Sequence, residues 1–127
     1  MRLCKLPYRL SVAKYDAIPE GMKGFLSLTV AEGEISLVAE TASLPAGYLV
    51  REDGWCAIGV EGPLDFSLVG ILSSISSVLA ECNIPIFAIS TYDTDYLLVK
   101  KDRSEEALRA LAERGYEMTL LEQSGDY

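Results

Sequence analysis

The sequence contains no histidine. That absence removes imidazole metal ligands, Ser-His-Asp and Cys-His nucleophile systems, and the most frequently used general base. Cysteine is sparse as well: Cys4, Cys56 and Cys82 are odd in number, far apart and form no C-x-x-C pair. Such spacing argues against a disulfide framework or a zinc site and for reduced thiols of the core type. Positive charge is short, with 11 Lys and Arg against 19 Asp and Glu, a formal net charge of −8. Because the cations are scattered among carboxylates, a phosphate backbone would meet repulsion, and no nucleic-acid partner is expected. No apolar run approaches the ~18 residues that span a bilayer. Met1-Arg2-Leu3-Cys4 opens no signal-type apolar segment with a small-residue cleavage site. The expectation is a cytoplasmic protein without a membrane partner.

What is present is a 127-residue chain, half apolar and 24% charged. That composition excludes disorder, and the length suffices to bury roughly two-thirds of the unfolded surface. Residues alternate from Tyr8 to Tyr15, with Tyr8, Leu10 and Val12 on one face, so a first strand is expected there. Asp16 to Gly24 carries Pro19, Gly21 and Gly24 and leaves no room for a full helix. Phe25 to Val30 and Glu34 to Glu40 read as a hairpin around Ala31-Glu32-Gly33. Thr41 to Gly54, with Pro45, Gly47 and Gly54, reads as a joint between two subdomains, containing at most a short strand at Tyr48-Leu49-Val50.

The second half is denser. Trp55 to Val60 alternates small and large residues, as a buried strand does, and Glu61-Gly62-Pro63 ends it. A helix then starts near Asp65 or Ser67, either of which can cap it, and ends near Cys82-Asn83. Its apolar stripe is Leu68, Ile71, Leu72, Ile75, Val78, Leu79 and Cys82, while Ser73, Ser74, Ser76 and Ser77 form a small polar surface with no base to activate a nucleophile. Ile84 to Thr91 and Tyr96 to Val99 flank the acidic turn Tyr92-Asp93-Thr94-Asp95 as an antiparallel hairpin. Ser104 can cap a second helix, with Glu105 and Glu106 in its first turn, and Gly115 is placed to end it. Tyr116 to Leu121 gives the last strand, and Glu122 to Tyr127 a loose tail. The fold class is therefore α+β. A ferredoxin-like βαββαβ unit, residues 55–121, has an antiparallel sheet with both helices on one face; residues 1–54 repeat its strand and hairpin order without the long helices.

That fold serves many functions, so the residues have to discriminate. Glu61-Gly62-Pro63-Leu64-Asp65-Phe66, Gly70-Ile71-Leu72, Ile84-Pro85-Ile86 and Ser90-Thr91-Tyr92-Asp93-Thr94-Asp95-Tyr96 stand in one 36-residue span. Segment 59–101, which holds them, closely resembles the ACT domains of the CASTOR-like group. These are paired-ACT proteins named for an arginine sensor and related to the regulatory region of aspartate kinases. Residues 55–121 look like a complete ACT domain, and 1–54 resemble the reduced ACT-like unit that precedes it in small bacterial members.

The resemblance implies a small effector, an amino acid, held near the strand-to-helix loop at an interface between ACT units, within one chain or across a homodimer formed through sheets or helices. It implies no catalysis, no cofactor and an unidentified protein partner to receive the signal. The implied ligand residues are Glu61, Asp65, Phe66, Ser67, Gly70 and Ile71 around that loop, with Thr91, Tyr92, Asp93 and Asp95 at the acidic turn. Amides at the helix start can take a ligand carboxylate, a favourable dipole contact of roughly 0.3–1 kcal/mol. Asp93, Asp95, Asp65 and Glu61 can accept from an ammonium or cationic side chain, Tyr92 can cover the ligand or close an interface, and Gly70 permits close backbone approach.

Each residue also has a plainer role. Asp65 serves as an N-cap, Asp93 and Asp95 as turn formers, and Phe66 as packing. The Asp93-x-Asp95 pair offers a hard cation too few oxygens, so no metal is expected. Three functional classes stay open: an effector-binding regulatory module, a ligand-free oligomerisation module, and an enzyme working with carboxylates alone, for which no nucleophile and base pair is present.

Overall fold

The computed structural model describes residues 2–60 and 70–120, leaving aside the side chains of Leu26 and Leu120. Two compact units divide the chain: Tyr8–Trp55 forms an inserted unit, and Met1–Pro7 with Cys56–Tyr127 forms an outer unit. The outer unit is thus discontinuous in sequence. Residues 1–7, grouped above with the first half of the chain, join the second.

In the inserted unit, strands β2 (Leu10–Tyr15), β3 (Leu26–Ala31), β4 (Glu34–Glu40) and the first part of β5 (Val50–Val60) lie in the order β3-β4-β2-β5. β3 and β4 form the expected antiparallel hairpin, with Ala31 opposite Glu34. No helix occurs between Asp16 and Phe25, and only a single 3-10 turn, Thr41–Ser43, follows β4. Side chains from these two connections cover the sheet where helices would otherwise lie: Met22 and Leu44 pack against Ala13, Tyr15, Leu37 and Ala39. The Tyr15 hydroxyl, raised above its usual pKa mainly by burial, donates to Pro45 O at 2.8 Å. Fully buried Ser11 is satisfied by Asp53 Oδ1 at 2.6 Å and Thr41 Oγ1 at 2.8 Å, as a buried hydroxyl requires.

β5 corrects the expected joint. Val50 to Gly54 is not a connection around a short strand but the start of an eleven-residue strand. Gly54, a breaker by composition, has φ +86° and sits where three steps along β5 match two along β2, between Leu10↔Trp55 and Val12↔Glu52. It is a bulge residue, which lets the strand continue through a glycine.

The outer unit has the order βαββαβ: the end of β5, α1 (Ile71–Glu81), β6 (Phe87–Ser90), β7 (Asp95–Lys100), α2 (Ser104–Glu113) and β8 (Glu117–Leu120). Its sheet also holds a strand that alternation did not reveal, β1 (Arg2–Lys5), antiparallel to β5 and parallel to β8. Tyr8 to Tyr15 is consequently the second strand of the chain, not the first. The resulting order is β6-β7-β5-β1-β8. Setting β1 aside, both units place their four strands as second, third, first and fourth. The inserted unit therefore repeats the outer unit's topology with its helices replaced.

Both helices pack on one face of the outer sheet. Ile75, Val78 and Leu79 from α1 and Ala107 and Leu111 from α2 share a core with Leu3, Ile58, Val60, Leu97 and Val99. Each fully buried Leu or Ile here contributes about 1.5–3 kcal/mol. α1 starts at Ile71 with Gly70 at its N-cap, later than expected, and the proposed caps Asp65 and Ser67 lie outside the described residues, as does Leu68. Ser104 does not cap α2: it is the helix's first residue, Arg103 holds the cap position, and the Ser104 hydroxyl donates to Lys101 O at 2.8 Å. A 3-10 turn, Lys101–Arg103, delivers the chain into the helix, so the backbone turns before Ser104 and its hydroxyl meets a carbonyl. Gly115 ends α2 as expected, with Tyr116 N–H returning to Leu111 O at 3.2 Å. Residue 121 and the tail 122–127 lie outside the described residues.

Candidate functional site

The acidic turn is built by its two threonines. Ser90 and Asp95 are the last paired positions of the β6–β7 ladder, and residues 91–94 connect them. Thr91 N–H donates to Thr94 O at 2.8 Å, the Thr91 hydroxyl donates to the same carbonyl at 3.1 Å, and Thr94 N–H reaches back to Thr91 Oγ1 at 3.3 Å. The first is a backbone bond, and the other two run through the Thr91 hydroxyl, a side chain that competes well for local backbone groups. Tyr92 and Asp93 are thereby left at the tip, with Tyr92 80% exposed.

Below the tip, Asp95 is half-buried and accepts the Ser90 hydroxyl on Oδ1 at 2.7 Å. Thr94 turns its hydroxyl the other way and donates to Val60 O at 2.5 Å. Val60 is the last residue of β5, so one hydrogen bond joins the turn to the point where the strand-to-helix connection departs. That juxtaposition brings Thr91, Tyr92, Asp93 and Asp95 to the same end of the sheet as the end of β5. Thr94 is not among the ligand residues that the resemblance implies; the signal in the sequence is a second threonine three residues after Thr91.

Gly70 and Ile71 form the start of α1. Gly70 has φ +80° and ψ 2°, a left-handed conformation, while a Cβ added there meets nothing within 4 Å. Its conformation makes glycine the fitting residue, with no close neighbour among the described residues. Having no side chain, Gly70 cannot cap the helix. The first intrahelical bond runs from Ser74 N–H to Gly70 O at 2.8 Å, so the amides of residues 71–73 have no carbonyl partner inside α1. Ile71 packs its side chain against the core. Glu61, Asp65, Phe66 and Ser67 lie outside the described residues.

Chemically, the start of α1 offers backbone donors and the β6–β7 turn offers carboxylate acceptors, groups that bind charged partners. Among the described residues no group of three or more His, Cys, Asp or Glu is arranged to hold a metal ion, and no helix is long and apolar enough to cross a membrane.

A family model described as ACT domain matches residues 50–113. Over 97 residues, 71% of this chain, the sequence is 32% identical to the human protein named cytosolic arginine sensor for mTORC1 subunit 1. The aligned stretch spans 30% of that relative's length. Among solved structures, a protein from Agobacterium tumefaciens superposes with a TM-score of 0.87 at 30% identity, covering 99% of this chain and 97% of that one. Aspartate kinase from Synechocystis shares the fold at a TM-score of 0.70 and 13% identity, over 98% of this chain and 28% of the kinase.

Proposed function

The chain belongs to the ACT domain family, and from that premise we propose that it is a regulatory module that binds a free amino acid and has no catalytic activity of its own. The observation that carries this is the β6–β7 turn, closed by Thr91 and Thr94, joined to the end of β5 and set above the half-buried Asp95 carboxylate. An amino acid is a small zwitterion, to which the start of α1 and the β6–β7 turn offer complementary groups. Its carboxylate goes to the first-turn amides of α1, and its ammonium or cationic side chain goes to Asp95 with Asp93.

From the sequence resemblance, Glu61, Asp65, Phe66 and Ser67 complete the site, with Gly70, Ile71, Thr91 and Tyr92. Arginine is the first effector to try, because the human relative is named an arginine sensor and an acidic turn suits a guanidinium. The effector sits between ACT units of a cytoplasmic homodimer, and occupancy is passed to a protein partner through differential affinity for two states.

A thermal-shift screen of the wild-type chain against each common amino acid at millimolar concentration, repeated on Asp95→Ala, tests the proposal. A ligand at a hundred times its dissociation constant stabilises by about 2.7 kcal/mol, roughly 10 °C at this length. A shift with one amino acid, lost in the variant, is expected; silence across the panel removes the effector role. A second function, ligand-free association, is favoured by the edge position of β3, where Val30 is 59% exposed. Sedimentation that is concentration-dependent yet unchanged by every amino acid supports that alternative.

A further inference from the structure

We infer that Thr94 is the positioning residue of this site, holding the acidic turn at the end of β5 through its hydroxyl so that Asp95 is presented to the effector. The inference rests on the effector-binding function proposed above and adds a residue to it. Three observations carry it. The bonds between Thr91 and Thr94 fix the shape of the turn, but they are internal to it and do not fix where it stands on the sheet. The Ser90–Asp95 contact fixes its base, again within the same hairpin. The Thr94 hydroxyl differs from these because it reaches Val60, 34 residues earlier in the chain, in a part-buried bond to a strand carbonyl.

The residue type suits that task. A β-branched side chain has few χ1 options, so the Thr94 methyl and hydroxyl are held in a stiffer orientation than a serine hydroxyl. Valine has the same shape without the donor, and so removes only the bond. Serine keeps the donor with a looser rotamer. Asp95 begins β7 and its backbone is held by the sheet, so releasing the adjacent Thr94 from Val60 acts on the carboxylate through the turn that leads into the strand.

Full-length wild-type protein, Thr94→Val and Thr94→Ser are compared in two steps. First, amide and carbonyl-carbon spectra are recorded without ligand. Thr94→Val is expected to shift the carbonyl-carbon resonance of Val60 and the resonances of Thr91 through Asp95 together, while Thr94→Ser stays near wild type. Second, L-arginine is titrated, followed by the other common amino acids if arginine gives no heat. The dissociation constant is expected to rise about tenfold in Thr94→Val and to stay within about threefold in Thr94→Ser, with both variants still melting cooperatively. A purely structural threonine would lower the melting temperature and leave the affinity unchanged. The inference is overturned if Thr94→Val leaves the Val60 carbonyl-carbon resonance where it is, or if it binds like wild type. Should the wild-type chain bind no amino acid, the proposed function fails, and the ligand-free spectra alone still decide whether Thr94 holds the turn.

Discussion

Ser90 and Asp95 face each other across the last rung of the β6–β7 ladder, and the serine hydroxyl donates to Asp95 Oδ1 at 2.7 Å. The bond aims the carboxylate without neutralising it, which is what a charged ligand requires. Asp95→Asn keeps an acceptor for Ser90 and removes the charge. Its expected effect is a loss of about 1.5–3 kcal/mol of effector binding, at least tenfold in affinity, at an unchanged melting temperature. Ser90→Ala, which removes only the aim, is expected to weaken binding by about 0.5–1.5 kcal/mol. Calorimetric titration of the two variants distinguishes charge from orientation.

The helix α1 should separate cleanly into a face that stabilises and a face that does not. Leu79 is fully buried in the core shared by both helices, whereas Ser73 and Ser77 are exposed. Leu79→Ala is expected to cost about 2–5 kcal/mol in urea unfolding through the cavity it leaves. Ser77→Ala stays within about 0.5 kcal/mol and leaves effector binding untouched. A binding defect in Ser77→Ala would give the serine row a role that its position does not support.

Gly70 is constrained by its backbone and not by space. With φ +80° and nothing among the described residues within 4 Å of an added Cβ, Gly70→Ala is expected to lose about 1–2 kcal/mol of stability from the left-handed conformation. Gly70→Asn should lose less, because asparagine visits that conformation more readily. Equal losses in thermal or urea unfolding would show that a contact, and not φ, governs the position.

Acid should weaken the junction between the helices. The Arg103 guanidinium donates to Glu106 at 2.9 Å and holds its carboxyl below the ordinary value of 4.5, while also reaching Cys82 O and Asn83 O at the end of α1. A depressed carboxyl pKa contributes stability that is fully present above the unfolded value and disappears as pH falls through the folded one. Wild type should therefore exceed Glu106→Gln in melting temperature above about pH 5, with the gap closing toward pH 3. A gap that stays constant across that range would mean that Glu106 acts by packing alone.

Much of the outer unit was legible because its elements are long or strongly patterned. The stripe Ile71, Leu72, Ile75, Val78, Leu79 repeats at helical spacing, and those residues do line or flank the core. The Ser90 to Asp95 turn announced itself by two Asp and two Thr between apolar runs, and it closes through the threonines. β1 was illegible for the opposite reason. In Arg2–Lys5 only Leu3, opposite Val60 and Met118, is buried, and a four-residue strand with one buried position carries no local pattern. The start of β5 was hidden because Pro45, Gly47 and Gly54 mark Thr41 to Gly54 as a joint holding at most a short strand at Tyr48-Leu49-Val50. Pairing with β2 and a bulge at the glycine override that local preference. Thr94 carries no mark of its role, because a threonine in a turn signals the turn itself and nothing local reveals that its hydroxyl finds a carbonyl 34 residues away.

The most direct measurement is an amide-resolved NMR titration of the full chain, beginning with L-arginine and continuing through the common amino acids to millimolar concentration. Effector binding at the outer unit predicts saturable shifts concentrated at Glu61, residues 65–67, Gly70, Ile71 and residues 90–95, with Val60 moving alongside them. Spectra that no amino acid perturbs, or shifts confined to residues 8–55, would contradict it.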